Sequence, residues 1–134
     1  MFDNEKVSRI LSEFGEIEAA YLFGSAASGK LRNRSDVDVA LLLQRDVGRT
    51  RQLEIRLRLM ALLEDVFERP TEVVIINDVS LLLFSEIVKA KKLIYEKDPA
   101  YRIQFESQKR REYLDFMPHM IRHSRAFRNR LMEG

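Results

Sequence analysis

Asp36 to Leu43 reads D-V-D-V-A-L-L-L, an apolar run with two carboxylates at its head. Such a run is the length of a strand, and strand side chains alternate between faces. Asp36 and Asp38 therefore project to one side, and Val37, Val39 and Leu41 to the other. Two carboxylates held side by side repel, and burial makes their ionisation harder still. Any fold that accepts this segment must place its first end where those charges are solvated or balanced.

The segments around it are consistent with a small sheet. Asp3 is placed to cap a first helix whose stripe is Val7, Ile10, Leu11 and Phe14, with Gly15 as its stop. Ile17 to Phe23 reads as a buried strand ending at Gly24-Ser25, and Ala26 to Ser35 as a polar loop of small residues. After Gly48 and Thr50, the leucine-rich stripe Leu53, Leu57, Met60, Leu63 and Phe67 predicts a helix that ends before Pro70. Thr71 to Ile76 is a third strand, Asn77-Asp78 a turn, Leu81 to Lys91 a helix, and Leu93 to Tyr95 a short edge strand. Asp98-Pro99 starts a last helix, as N-cap followed by proline at the first helical position. Its apolar residues, Tyr113, Phe116, Met117, Met120, Phe127 and Leu131, fall roughly on one side. Pro118 inside that pattern predicts a kink or break. The order of elements implies an α+β (mixed α/β) fold: about four strands in a mixed sheet, with helices on one face. Residues 1–96 form the expected core, and 97–134 a helical extension of the same domain.

Several chemistries are excluded by composition. The 134 residues suit one domain and contain no cysteine, which removes disulfides and thiolate zinc sites and favours a reducing compartment. No apolar run approaches a membrane span, and the polar N-terminus is no secretion signal, so the cytoplasm is expected. The net charge of +2 is uneven. Residues 97–134 hold nine Lys/Arg against five Asp/Glu. A basic tail of this kind suits an acidic partner or nucleic acid, and equally a solvated helix face. The absence of interleaved aromatic residues argues against direct nucleic-acid binding.

Three features near the strands point to phosphate and metal chemistry. A divalent cation relieves the repulsion between Asp36 and Asp38 by taking oxygen ligands from both, and Mg²⁺ is the usual choice where phosphates complete its shell. Gly24-Ser25 lies ten residues earlier, at the end of the preceding strand. Glycine permits a close backbone approach to phosphate, and serine with successive N–H groups can hold phosphate oxygens. Glu72 lies near the start of the third strand. If that strand pairs with Asp36–Leu43, Glu72 joins the aspartates as metal ligand or proton acceptor. Each feature alone has a plain structural reading: a loop cap beside an exposed strand position, a simple turn, and an exposed residue at a strand start. Asp78, in the turn, is a weaker candidate. His119 and His123, four apart on the last helix, have the spacing of a zinc pair but no accompanying carboxylate motif, and suit a surface better.

Taken together, Gly24-Ser25, ten residues and Asp36-Val37-Asp38 resemble the G-S-x10-D-x-D signature of the polymerase-beta-like nucleotidyltransferase superfamily. The resemblance covers about Val7 to Glu96, and the short chain is similar to the minimal nucleotidyltransferase (MNT) branch. It implies that Asp36, Asp38 and Glu72 are the catalytic and metal-binding residues, with two Mg²⁺ ions. Gly24 and Ser25 are implied to bind the nucleotide, with ATP as substrate, and Lys30, or else Arg32 or Arg34, to supply the phosphate contact that the family's arginine makes. The reaction implied is attack of a hydroxyl on the α-phosphate, with pyrophosphate leaving. Many MNT proteins are antitoxins paired with a HEPN-domain RNase toxin, which they silence by adenylylating a tyrosine. The resemblance thus implies a cognate HEPN toxin as acceptor and partner in a hetero-oligomer. The chain departs from the family in having Ser28 where arginine is common, and Glu72 where aspartate is common. These departures motivate an alternative in which a weak or inactive nucleotidyltransferase fold neutralises its partner by binding. A third reading, modification of RNA or a small molecule, fits less well because few residues remain for a substrate domain.

Overall fold

The computed structural model describes residues 3–24, 27, 36–89 and 91–133. Helix α1 spans Asn4–Ser12. Strands β1 and β2 span Ile17–Phe23 and Val37–Leu43. Helix α2 (Arg49–Phe67), strand β3 (Thr71–Ile75) and a 3₁₀ turn (Ile76–Asp78) follow. Helix α3 (Leu81–Lys89), strand β4 (Lys92–Glu96) and the long helix α4 (Pro99–Glu133) complete the chain. The sheet is mixed, in the order β3-β2-β1-β4, with β2 and β3 parallel and the other pairs antiparallel.

Helices cover both faces of this sheet, where the sequence reading placed them on one. The cause lies in the two central strands. Every residue of β2 except Asp38 is buried, so both of its faces require apolar cover. Val37, Val39 and Leu41 face α1 and α2, in a core with Leu11, Ile55, Leu59 and Leu63. Ala19, Tyr21, Ala40 and Leu42 face the other way, against Phe84 and Ile87 of α3 and Tyr101 and Phe105 of α4. Phe84 and Phe105 meet edge to face, with ring centroids 6.1 Å apart.

Local chemistry sets where the elements end. The Asp3 carboxylate accepts the Lys6 N–H and starts α1. That helix ends with Glu13 as its cap, two residues before Gly15, which lacks the left-handed conformation of a terminal glycine. Helix α2 buries Ile55, Leu59, Leu63 and Phe67, and leaves Leu53 and Leu57 52% and 57% exposed. The stripe read from the sequence was therefore displaced by part of a turn, because leucines lie on several sides of this helix and spacing alone does not choose among them. Asn77 continues the sheet with its side chain: its amide accepts the Leu43 N–H at 2.9 Å and donates to the Leu43 carbonyl at 2.8 Å. The Asp98 carboxylate caps α4 through the Ala100 N–H. Helix α4 runs unbroken through Pro118.

Candidate active site

Strand pairing assembles the acidic residues. Antiparallel pairing sets Phe23 opposite Asp38, and parallel pairing sets Asp38 opposite Glu72. Opposed residues in neighbouring strands share a face. Asp38 and Glu72 therefore stand side by side on the α3/α4 face, where β2 and β3 begin. Asp36 immediately precedes β2 at the same end. Asp36 and Glu72 are exposed, and Asp38 is half-buried. Desolvation raises the Asp38 carboxyl above its ordinary range, and the negative charges of Glu72 and then Asp36 push it the same way. The three carboxylates thus form one electrostatic unit in which added negative charge is resisted and positive charge is favoured.

Gly24 completes this end of the sheet. Its φ is +65°, and a Cβ there would lie 2.9 Å from Asp38 Oδ2. The turn leaving β1 thus has two separate needs for glycine: a left-handed backbone, and no Cβ to collide with the Asp38 carboxylate. Ser25 and Lys30, together with most of the loop Ala26 to Ser35, lie outside the described residues.

The donor set is one of hard oxygens and suits Mg²⁺. Among the described residues, no three acidic or imidazole groups are gathered into a cage. Mg²⁺ ordinarily needs none, since it keeps waters and takes one or two carboxylates together with substrate phosphates. Asp36 and Asp38 could hold such an ion, with Glu72 adjoining. Asp78 lies in the 3₁₀ turn after β3, at the opposite end of that strand from Glu72.

Sequence reasoning missed a second polar group on the same sheet face. The Tyr21 hydroxyl donates to Glu106 Oε1 at 3.0 Å. Lys91 also pairs with Glu106, Arg102 Nη1 reaches Glu106 Oε2 at 2.8 Å, and Arg102 pairs in turn with Glu96. Burial, and then the Glu106 charge, raise the Tyr21 phenol well above its usual range, so it remains a neutral donor. The available signals were a tyrosine inside a strand that is apolar apart from Glu18, and the i,i+4 pair Arg102/Glu106. Neither indicates that two segments 85 residues apart meet.

No helix among the described residues is long and apolar enough to cross a membrane. No curated protein matches the chain. Among solved structures, the chain is similar in fold to one in a toxin-antitoxin crystallised with AMP-PNP. The two are 19% identical with a TM-score of 0.71, over 97% of this chain and 98% of that one. It is also similar to a chain in the complex of tri-AMPylated Shewanella oneidensis HEPN toxin with MNT antitoxin. There the identity is 18% and the TM-score 0.64, over 96% of this chain and 95% of that one. Residues 5–100, which contain the carboxylates and Gly24, match the family model described as Polymerase beta, Nucleotidyltransferase. With that match across most of its length, and a mixed sheet that sets Asp38 beside Glu72, the chain belongs to the polymerase beta nucleotidyltransferase family.

Proposed function

We propose that this chain is a Mg²⁺-dependent protein adenylyltransferase that acts as an antitoxin in the cytoplasm. Its reaction moves AMP from ATP to a tyrosine of a cognate HEPN RNase toxin. The observation that carries this reading is the pairing of Asp38 with Glu72, with the Asp38 carboxylate seated so close to Gly24 that no side chain fits there. Fold similarity to chains in toxin-antitoxin complexes, one with AMP-PNP and one with an AMPylated HEPN toxin, supports the choice of nucleotide and acceptor.

Asp36 and Asp38 would hold Mg²⁺, with Glu72 as a third ligand where a second ion joins. Bound there, the metal neutralises phosphate charge and favours in-line displacement. Gly24, Ser25 and Lys30 are the residues proposed to contact the triphosphate. The tyrosine oxygen forms a bond to the α-phosphorus while the bond from that phosphorus to the bridging oxygen breaks, and pyrophosphate leaves. Glu72, exposed beside Asp38, accepts the phenolic proton.

The test is intact-protein mass spectrometry of the co-encoded HEPN protein after incubation with this chain, ATP and Mg²⁺. The expected result is a gain of one or more AMP units that is lost with Asp36→Asn/Asp38→Asn. A stable, neutralising complex that never gains AMP would refute the reading and leave an antitoxin that works by covering its partner.

A further inference from the structure

Helix α4 has 35 residues, which makes it about 52 Å long. Only its first third is seated on the sheet. Tyr101 donates to the Leu43 carbonyl, Phe105 packs on Phe84, and Glu106 is held by Tyr21, Lys91 and Arg102. Further along, every described side chain from Pro118 to Arg130 is exposed. A helix in water does not ordinarily hold large apolar groups outward along such a projection, yet Leu114, Phe116 and Ile121 are 54%, 43% and 46% exposed.

The exposed part is patterned. Leu114, Met117, Pro118 and Ile121 line one shallow groove, and Ile121, Ser124, Arg125 and Arg128 line the next. Leu114, Ile121, Arg125 and Arg128 recur at steps of seven, four and three, so an apolar half and a cationic half follow one another along one helix face. Pro118 has no N–H, which leaves the Leu114 carbonyl without its helical donor beside the apolar half. From Phe116 to Met132 the sequence has four arginines, two histidines and no carboxylate. Among the described residues, no acid pairs with Arg122, Arg125, Arg128 or Arg130. Two copies of this segment laid together would set arginine against arginine, which disfavours self-association as the cover. The complementary occupant is a helix whose apolar residues are followed by carboxylates.

We infer that the distal half of α4 is the docking arm for the acceptor protein, engaging such an apolar-then-acidic helix of the HEPN partner. This rests on the proposed function for the partner's identity. The buried Glu106 cluster has a defined part in it. It fixes the root of the arm to β1, the strand that leads into Gly24, so a partner held on α4 is held in a set position relative to the carboxylates.

The experiment is calorimetric titration of the co-encoded HEPN protein into the full chain, with AMP gain read by mass in the same samples. Two variants are compared with wild type: Leu114→Asp/Ile121→Asp, and Arg122→Glu/Arg125→Glu/Arg128→Glu. These side chains are exposed, and circular dichroism checks that the fold persists. Each variant is expected to raise Kd by at least about tenfold, the loss of one good interface contact. Unchanged affinity in both variants would overturn the inference, as would failure of the wild-type chain to bind the HEPN protein. It is also overturned if charge reversal abolishes binding of single-stranded RNA while the protein complex survives. The two readings fail separately. AMP gain with unchanged affinity in the variants defeats only the docking arm, and weakened variant binding with no AMP gain in wild type defeats only the transferase.

Discussion

At Asp38 a single carboxylate bears the cost of its position. Desolvation and its two acidic neighbours favour its neutral form, so its folded pKa lies above the unfolded value. An aspartate shifted in this direction weakens the fold once ionised. Without metal, the penalty grows as pH rises from the ordinary carboxylate range through the raised value, and is constant above it. Asp38→Asn is therefore expected to melt higher than wild type at neutral pH in chelator, with the difference shrinking as pH falls and wild type protonates. The same substitution should lower AMP transfer by at least about a hundredfold, the scale on which positioned catalytic groups contribute. Thermal melts across pH and a transfer assay check the two halves, and a lower melting point at neutral pH would contradict the electrostatic account. Gly24→Ala separates strain from chemistry. The left-handed backbone costs an alanine about 1–2 kcal/mol, while its Cβ displaces the Asp38 carboxylate. Transfer should fall by more than the stability loss accounts for, as measured by comparing denaturant midpoints with rates.

Among the elements, α2 and α4 show what spacing does and does not specify. Leu59→Ala, at a fully buried site, should cost about 2–5 kcal/mol. Leu57→Ala, on the exposed side, should change stability by less than about 0.5 kcal/mol. Chemical denaturation of both variants decides which stripe faces the core. The sequence was enough to place the described strands and helices in order, because alternation, glycines and prolines act locally. It was enough to set Asp38 beside Glu72 once β3 lay alongside β2, whereas Asp36, read as the first residue of that strand, lies just before it. It was insufficient for the core face of α2, where leucines surround the helix. It was insufficient for the second helical layer, which follows from burial of both faces of β2. It was insufficient also for the Tyr21–Glu106 contact, which depends on α4 crossing back over β1. Ser25, from the family motif, and Lys30, as a substitute phosphate contact, remain expectations.

For the molecule as a whole, the sheet links a carboxylate cluster at one end with a helix that extends well beyond it. The link is the Glu106 cluster. Glu106→Ala leaves a buried phenol and two partly buried cations without their shared acceptor. It should destabilise the chain by about 2 kcal/mol, seen as a lower denaturant midpoint, whereas Lys89→Ala, at an exposed ion pair, should leave the midpoint unchanged. The chemistry proposed for this arrangement is nucleotidyl transfer. The experiment supplies the chain and the proposed HEPN partner with Mg²⁺ and ATP labelled at either the α- or the γ-phosphate. The expected result is that α-label enters the partner, that γ-label appears only in pyrophosphate, and that both signals vanish with Asp36→Asn/Asp38→Asn. Label entering from the γ-phosphate, or α-label incorporated equally by the double variant, would contradict it.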